Sequence, residues 1–554
     1  MAAFEFFLVS SLEKVFLDQR PEPLSNLSLN ALIGDRIAFQ LVYSLHGELG
    51  NMPADTFCVT ASGIDAPIRL RDVVLLPSHY PVPEKRDKNY LRTVPGLYPD
   101  LLVPSSGKIK PVAEQFRSLW IDADLSSAKP GIYRLCISVR RERDSVSVRD
   151  LYVDIEVINC KLPEQKLIHT EWFYADCLAD YYKVPVFSEA HWKIIANFIH
   201  AAVHDCGVNM LLTPVFTPPL DTAIGGERTT TQLVSIEKKK GIYSFDFTLL
   251  ERWCKLCKQE GVAYLEIAHF FTQWGAKATP KIIVSVDGIE TKLFGWHVSA
   301  SDPEYKLFLS MFIPELLKCL HAQGFDKEHI VFHVSDEPCE RDMETYLNAK
   351  EIIKPLLHGY TVIDALSSYE FYERGIVENP IPSNDHIQPF IDNKADNLWV
   401  YYCVAQSVEV PNRFFAMPCS RNRIMGVLLY LYDIKGFLHW GFNFYNTQYS
   451  RKHINPFIVT DCGSEFPSGD AFLVYPADDT GVYSSIRNEI QMEAFADICA
   501  LQKLETLIGR EKVCNIIHED LDYILTFKKY PIEKEYLTQL RYKINQCIRD
   551  KGVK

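Results

Sequence analysis

The chain has 554 residues, of which 47% are hydrophobic and 23% are charged, and its formal net charge is −13. This length and composition predict a globular protein of two large domains, or an α/β barrel with a companion domain. The acidic balance, with no long block of lysine or arginine, argues against nucleic acid or an anionic membrane surface as a partner.

The cysteines and the amino terminus point to a reducing compartment. The 15 cysteines are an odd number and are scattered through apolar runs, unlike the paired cysteines of a small secreted disulfide framework. Residues 1–11 are apolar but lack a basic start and a small-residue cleavage site, so they predict a strand that enters the fold. No run approaches the roughly 18 apolar residues of a membrane span. We therefore expect a cytoplasmic protein without a membrane segment.

The first 162 residues have the pattern of an all-β domain. Residues 37–45 predict a strand, residues 118–124 and 151–157 alternate with period two, and a turn at 128–131 precedes another alternating run. Short strands at this spacing predict a β-sandwich. Pro163 then marks a linker, since proline closes strands and stiffens connections.

Beyond this linker, strand-like runs alternate with amphipathic helical runs, as in successive βα units. The predicted helices cover residues 190–205, 247–260, 303–323, 341–356, 484–508 and 534–549. Eight strands are predicted, at residues 168–173, 209–213, 262–268, 330–334, 360–364, 386–390, 398–404 and 436–440. A (β/α)8 barrel is the simplest closure of eight such units.

The predicted fold class is therefore multidomain β plus α/β. A β-sandwich domain covers residues 1–162, a (β/α)8 TIM-type barrel covers 163–510, and a helical tail at 511–554 packs on the barrel. The functional side chains of such a barrel lie where its strands end and the βα loops begin. Aromatic and polar side chains recur at these positions, as in a ligand pocket lined by rings with a few polar groups.

The residues at the predicted strand ends supply the candidate site. Asp336 and Glu337, which follow the fourth strand, are the candidate catalytic pair. The candidate substrate-binding residues are Glu171, Trp172, Asp221, His269, Trp274, His333, Tyr401, Tyr402, Trp440 and Asn443. No metal ligands and no cofactor are predicted. Aromatic residues make up 12% of the chain, which suits either a sugar-binding cleft or a large β-rich core.

Two adjacent carboxylates at a strand end repel each other, so one of them tends to hold a raised pKa. A carboxyl group of this kind can protonate a leaving oxygen near neutral pH. Pro338 biases Glu337 away from helical backbone angles. The tripeptide Asp336–Pro338 alone also suits the start of a helix, where carboxylates complement the dipole. The functional prediction therefore depends on its place at the fourth of eight strands.

Adjacency also constrains the reaction. The two carboxyl groups of most glycoside hydrolases stand about 5–5.5 Å apart in retaining enzymes and about 6.5–9.5 Å apart in inverting ones, and they come from different strands. Two adjacent carboxylates at the end of one strand fit a different pair of roles. One reaches the glycosidic oxygen while the other orients a substrate group that attacks from within, which is substrate-assisted catalysis.

The chain resembles glycoside hydrolase family 123, a family of β-N-acetylgalactosaminidases with an amino-terminal sandwich and a barrel. The order and spacing of six matching segments carry the resemblance. They are residues 170–177 (TEWFYADC), 216–222 (FTPPLDT) with 225–228 (GGER), 333–338 (HVSDEP), 421–423 (RNR), 436–441 (GFLHWG) and 466–470 (FPSGD).

The resemblance implies a role for each carboxylate. Glu337 is the general acid and base, and Asp336 holds the N–H of the substrate's 2-acetamido group while its carbonyl oxygen attacks the anomeric carbon. The resemblance also implies an oxazoline-type intermediate, net retention of configuration at the anomeric carbon and a reaction without a metal. By their positions, Tyr401, Tyr402 and Trp440 are expected around the acetamide. The expected partner is an oligosaccharide or glycoside, and the oligomeric state is not predicted.

Other readings stay open. The scaffold could act on a sugar without an acetamide, or bind carbohydrate without turnover. Glu171 and Asp221 could brace the barrel mouth, and His333 could be a core histidine. Four other features are interpreted as structural: the Cys254/Cys257 pair, the His200/His204 pair without a zincin glutamate, the Lys238–Lys240 turn, and Gly225–Gly226 without a Walker lysine.

Overall fold

The computed structural model describes residues 3–24, 27–47 and 55–552. Within them, the contacts divide the chain into two compact units. The first unit contains residues 1–166, 411–432 and 483–554, and the second contains residues 167–410 and 433–482. The three sequence ranges given above remain a prediction about independently folding domains. None of the described helices is long and apolar enough to cross a membrane.

The first unit contains two β-sheets that share one hydrophobic core. Alternation explains this packing, because Leu135, Ile137 and Val139 are fully buried while their neighbours in the same strand are more exposed. One sheet has the spatial order Ala3–Ser10, Arg36–His46, Arg117–Asp124, Ile68–Ser78, Gly96–Pro104 and Val482–Ser485. The other has the order Ser28–Ile33, Ser147–Lys161, Gly131–Arg141, Phe57–Ser62 and Lys108–Ile109. The predicted β-rich amino-terminal region is thus confirmed.

The same unit has helices at Cys419–Leu431, Ile486–Ile508, Arg510–His518 and Lys534–Gly552. The last of these is the predicted carboxy-terminal helix. Its main contacts are with the helix Ile486–Ile508 and with the strands Ser28–Ile33 and Ser147–Lys161. Packing of the tail on the barrel remains a prediction. The buried side chains Leu537, Leu540, Ile544 and Ile548 form the apolar face that drives this packing.

The second unit is a nearly closed parallel barrel. Its eight strands are β1 (Ile168–Glu171), β2 (Met210–Thr213), β3 (Tyr264–Ile267), β4 (Ile330–Phe332), β5 (Thr361–Ala365), β6 (Asn379–Ile381), β7 (Trp399–Tyr401) and β8 (Gly436–His439). They are hydrogen-bonded in the order β6-β5-β4-β3-β2-β1-β8-β7. A single bridge between Ser383 and Tyr401 joins the β6 side to β7.

The predicted sixth strand, at residues 386–390, is wrong. The sixth strand is β6, and residues 388–392 form the short helix Gln388–Asp392 instead. Pro389 lies in the first turn of this helix, where its missing N–H costs nothing. In β6, Pro380 pairs with Asp364 of β5, and the weak β6–β7 edge tolerates a proline because few ladder donors are needed there.

Helices and a small sheet complete the second unit. The helices are Ala175–Tyr182, Glu189–His204, Thr248–Glu260, Pro303–Ala322, Met343–Ile353 and Glu370–Glu373, with single 3-10 turns at Lys327–His329, Glu340–Asp342 and Gln448–Ser450. The long connections after β2 and β3 pair as a four-stranded sheet, in the order Ile242–Asp246, Ser235–Lys239, Ile282–Val286 and Ile289–Phe294. Cys254 and Cys257 are free, buried thiols of one helix.

Candidate active site

A cavity of about 170 Å³ lies at the carboxyl ends of the barrel strands. Its wall combines aromatic rings with carboxyl groups. The lining residues are Trp172, Tyr174, Leu220, Asp221, Gln273, Trp274, Asp336, Glu337, Ala365, Tyr401, Cys403, Val404, Leu438, Trp440, Gln448, Tyr449 and Phe466. A small ring-lined cavity with a few converging polar groups has the composition expected of a ligand site.

The structure brings seven of the twelve predicted site residues to this cavity: Trp172, Asp221, Trp274, Asp336, Glu337, Tyr401 and Trp440. The other five, Glu171, His269, His333, Tyr402 and Asn443, are buried and do not line it. Substrate contact by these five residues remains a prediction. His269 and His333 pack edge-on against the ring of Trp172, and Asn443 forms hydrogen bonds with the backbone of Tyr174, so these three contact residues that line the cavity.

The segment that follows β4 presents Asp336 and Glu337 to the cavity, where both are partly exposed. The backbone carbonyl of Asp336 accepts a hydrogen bond from the Trp274 N–H at 2.9 Å. The Tyr401 hydroxyl donates to Glu337 Oε1 at 2.6 Å. Glu337 has a φ of 43°, a left-handed conformation that costs a non-glycine residue energy and clusters at functional sites. Neighbouring loops thus hold this pair in a conformation that it does not prefer.

Burial raises the pKa of both carboxyl groups. The negative charge of Glu337 raises the pKa of Asp336 further, while the His333 imidazolium acts in the opposite direction. For Glu337, the Tyr401 hydrogen bond opposes the effect of burial on the pKa. Two neighbouring carboxyl groups in one small cavity tend to share a single proton. The pair can therefore supply one acid and one carboxylate at the same time.

Replacing Tyr401 by phenylalanine should move the alkaline limb of the pH–activity profile to higher pH. The Tyr401 hydroxyl stabilises the ionised form of Glu337, so its removal raises the Glu337 pKa and keeps this carboxyl group protonated to higher pH. The phenylalanine ring keeps the cavity wall. The measurement is kcat/KM against pH for both proteins. An alkaline limb that is unmoved or shifted to lower pH would contradict this coupling.

A buried carboxylate lies directly behind the cavity wall. Glu266 of β3 accepts hydrogen bonds from the Thr170 hydroxyl at 2.5 Å, the Trp172 indole N–H at 2.8 Å and His333 Nε2 at 2.6 Å. It thereby fixes the ring of Trp172, which lines the cavity, and links the strands β1, β3 and the end of β4. A fully buried carboxylate with three donors is a positioning element, since each donor compensates its lost hydration.

A second buried carboxylate, Asp364 of β5, holds the segment before the acidic pair. Its Oδ1 accepts from the backbone N–H groups of Val334 at 3.1 Å and Ser335 at 3.3 Å, and its Oδ2 accepts from the Tyr346 hydroxyl. His333 Nδ1 lies 3.5 Å from Asp364 Oδ1. His333 therefore lies between two carboxylates, one at each ring nitrogen. The face of its ring stacks on the ring of His269, with the centroids 4.1 Å apart.

This arrangement predicts a pH-dependent contribution to stability. Burial alone lowers the pKa of His333, but the hydrogen bonds and charges of Asp364 and Glu266 outweigh it and raise this pKa from 6.5 to about 9. A raised folded-state pKa stabilises fully below the unfolded value, and the stabilisation is lost as pH rises through the folded value. The free energy of unfolding should thus fall by on the order of 3 kcal/mol from pH 6.5 to above 9.

The matched variant is His333→Gln, which keeps a side-chain N–H donor but cannot titrate. Its free energy of unfolding should lack this component, so that the difference between wild type and variant shrinks as pH rises from 6.5 to 9. Urea unfolding at a series of pH values measures this difference. A difference that is constant across the range would mean that His333 is neutral throughout.

Three other residues that line the cavity also have left-handed backbone. Asp221, Trp274 and Tyr449 have φ values of 37°, 59° and 60°. Asp221 Oδ2 accepts the Tyr449 N–H at 2.9 Å, and the Ser450 hydroxyl donates to the Asp221 carbonyl at 2.7 Å. Burial raises the Asp221 pKa to about 6. The loops after β2 and β8 are thus tied together at the mouth, so Asp221 both lines the cavity and braces it.

Tyr174, which follows β1, and Asp470, which follows β8, are among the residues at the cavity that were not predicted individually. Tyr174 lines the cavity, and Asn443 holds its backbone by accepting its N–H at 2.9 Å and donating to its carbonyl at 3.1 Å. The Trp440 indole N–H donates to Asp470 Oδ2 at 2.9 Å. Tyr174 and Asp470 lie inside two segments that carry the family resemblance, 170–177 and 466–470. The resemblance was therefore the sequence signal that could have identified them. Glu266 had a signal too, as a lone carboxylate within an apolar strand.

Two groups of side chains in the described ranges have spacings that could suit a metal ion. One is the buried set His269, His333 and Asp364. There, His333 Nε2 already lies 2.6 Å from Glu266, so a proton on the imidazole completes the contacts without a metal. The other set, His200, His204 and Glu260, lies on two helices outside the cavity.

Comparison with known proteins identifies the family of this chain. Residues 172–504 match the family model described as glycoside hydrolase 123, catalytic domain. A family 123 glycoside hydrolase from Clostridium perfringens, described in connection with glycolipid glycan hydrolysis, has a similar fold. Its TM-score is 0.74 at 16% sequence identity, over 99% of this chain and 97% of the other.

More distant similarities are with larger sugar-processing enzymes. A β-glucuronidase from Bacteroides uniformis matches with a TM-score of 0.30 and 10% identity, over 86% of this chain and 48% of that protein. A putative β-galactosidase from Bacteroides fragilis matches with a TM-score of 0.30 and 10% identity, over 84% and 58%. The comparison with curated protein sequences gave no match. With its catalytic-domain match covering more than half of its length, the chain belongs to glycoside hydrolase family 123.

Proposed function

We propose that the protein is a retaining, substrate-assisted β-N-acetylhexosaminidase with a preference for N-acetylgalactosamine. The observation that carries this proposal is the placement of Asp336 and Glu337 side by side in one small, ring-lined cavity at the carboxyl ends of the barrel strands. Adjacent residues of one segment cannot flank a glycosidic bond from opposite faces, as a nucleophile and an acid must. They can serve the leaving oxygen and the neighbouring 2-acetamido group.

In the first step, the protonated Glu337 gives its proton to the glycosidic oxygen as the C1–O bond breaks. The acetamide carbonyl oxygen of the substrate attacks C1 and forms the oxazoline ring, while Asp336 accepts the amide N–H and stabilises the positive charge that develops. In the second step, Glu337 as carboxylate takes a proton from water, and the water oxygen attacks C1 from the face that the leaving group vacated. The bond between C1 and the oxazoline oxygen breaks at the same time, which restores the 2-acetamido group of the released sugar. Two inversions give net retention.

The size and lining of the cavity support action on a terminal sugar. A cavity of about 170 Å³ is below the roughly 300–1,000 Å³ of common ligand pockets, and it suits one sugar residue better than an extended chain. The rings of Trp172, Tyr401 and Trp440 offer apolar surfaces for the sugar C–H faces and the acetamide methyl group. The glycolipid glycan hydrolysis named for the Clostridium perfringens enzyme supports glycoconjugate glycans as the substrate class.

The direct test is release of nitrophenol from the β-N-acetylgalactosaminide and the β-N-acetylglucosaminide, with the β-galactoside as the matched sugar without an acetamide. We expect cleavage of the galactosaminide to be fastest and cleavage of the galactoside to be undetectable. Equal rates on the galactosaminide and the galactoside would instead favour a glycosidase that does not use the acetamide. Binding of the sugars without release of product would favour a carbohydrate-binding protein.

A further inference from the structure

A second cluster of chemically active side chains lies on the helical layer of the barrel unit. The helix Glu189–His204 and the helix Thr248–Glu260 pack against each other. His200 and His204 are one turn apart, so both rings leave the same face of the first helix. Their centroids are 4.5 Å apart, and Glu260 extends from the second helix to both rings.

The distances between the three side chains suit a shared cation. Glu260 Oε2 lies 2.8 Å from His200 Nδ1 and 3.3 Å from His204 Nε2, and one potential ligand atom from each residue lies within 4.8 Å of the others. Zinc bonds of about 2.0–2.1 Å in tetrahedral geometry separate neighbouring ligand atoms by about 3.3 Å. The His204 contact already has that separation, and the His200 contact needs to widen by about 0.5 Å.

The side chains are free enough to make this adjustment. His200 and His204 are 60% and 50% exposed, while Glu260 is 22% exposed. The more buried carboxylate is thus the fixed member, and the two rings can rotate about it. The exposed side also leaves room for water to complete a four-coordinate shell around a metal held by three protein ligands.

Helix electrostatics also favour a cation at this place. His204 is the last residue of its helix and Glu260 is the last residue of the other. The carboxyl end of a helix carries a partial negative charge, so a glutamate there is unfavourable without a nearby cation. Lys258, in the last turn of the second helix, donates instead to the Gly324 carbonyl at 2.8 Å. A metal ion at the two rings would compensate both helix ends and the carboxylate.

We propose that His200, His204 and Glu260 form a binding site for a divalent transition metal of the zinc class. Two imidazoles and one carboxylate favour zinc, nickel or copper over magnesium or calcium, which prefer all-oxygen ligands. The metal would join the ends of two consecutive barrel helices. None of the three residues lines the cavity that contains Asp336 and Glu337, so the site is separate from the proposed hydrolysis.

The test is isothermal titration of the metal-stripped full-length protein with zinc chloride at pH 7.5, alongside the His200→Asn/His204→Asn double variant. Because free thiols also bind zinc, the readout is the difference between the two proteins. We expect the double variant to lose one equivalent of bound zinc, and Glu260→Gln to weaken that equivalent by at least about tenfold. Zinc should also raise the melting temperature of wild type more than that of the double variant.

The matched control is His453→Asn, which alters another exposed histidine of the same unit and should leave the zinc stoichiometry unchanged. Magnesium should give no difference between wild type and the double variant. Glycosidase activity should be equal in all four proteins, because the site is outside the cavity. Equal zinc stoichiometry and affinity in wild type and the double variant would overturn the proposal, whatever the outcome for the hydrolase activity.

Discussion

Glu337→Gln is expected to lower kcat/KM on a substrate with a poor leaving group by about 10²–10⁴-fold, which is the usual contribution of a general acid. The amide keeps the size of the side chain and can still accept the Tyr401 hydroxyl, but it has no proton to give to the leaving oxygen. The loss should shrink as the leaving group becomes more acidic, because a dinitrophenolate departs without protonation. Kinetics on a series of substituted phenyl glycosides measure this dependence.

The matched control is Glu340→Gln, the same substitution three residues away at an exposed position outside the cavity. It should keep wild-type kinetics. If Glu337→Gln retained full activity on the poorest leaving group, the assignment of Glu337 as the acid would be wrong. A loss of equal size on every leaving group would assign Glu337 to another step.

Asp336→Asn is expected to lower kcat/KM by roughly 10²–10³-fold, as is typical when one preorganised electrostatic group is removed from a site. Asparagine has the shape of aspartate and can still accept a hydrogen bond, but without the negative charge it does not stabilise the positive oxazoline. Unlike the Glu337 variant, the loss should have nearly the same size for good and poor leaving groups. The same substrate series distinguishes the two variants.

The control is Asp396→Asn, the same substitution at an exposed aspartate outside the cavity. This variant should behave as wild type. Both active-site variants should keep the wild-type melting temperature or exceed it, because desolvation disfavours the charged form of each carboxyl group and a neutral amide does not have this cost. Full activity of Asp336→Asn on N-acetylated substrates would remove the orienting role of Asp336.

The strand pattern of the barrel could be predicted from sequence wherever hydrophobic runs and helical runs alternate. Seven of the eight predicted strands overlap an observed strand, as β4 overlaps residues 330–334. The sixth failed because β6 contains a proline and is only three residues long, and both features normally argue against a strand. The pairing of the connections after β2 and β3 was also missed, since periodicity does not report which distant strands meet.

The candidate site could be predicted only in part, because the strand pattern gives the positions of residues but not the directions of their side chains. The strand-end rule identifies positions, and Asp336, Glu337 and Tyr401, which it selects, line the cavity. It does not tell which side chains line the cavity and which are buried without lining it, as His333 and Asn443 are. That choice depends on backbone conformation after each strand, and the left-handed φ of Glu337 and Trp274 has no signature in the sequence, where glycine would be the expected residue.

The most direct test of substrate assistance is a series of β-N-acetylgalactosaminides with one leaving group and increasing fluorination of the acetyl methyl group. Fluorine withdraws electron density from the carbonyl oxygen, so this oxygen becomes a weaker nucleophile while the cavity, the leaving group and Glu337 stay the same. We predict that kcat/KM falls steadily from the acetyl to the trifluoroacetyl compound. A rate that is independent of fluorination would contradict attack by the acetamide and the role of Asp336 that depends on it.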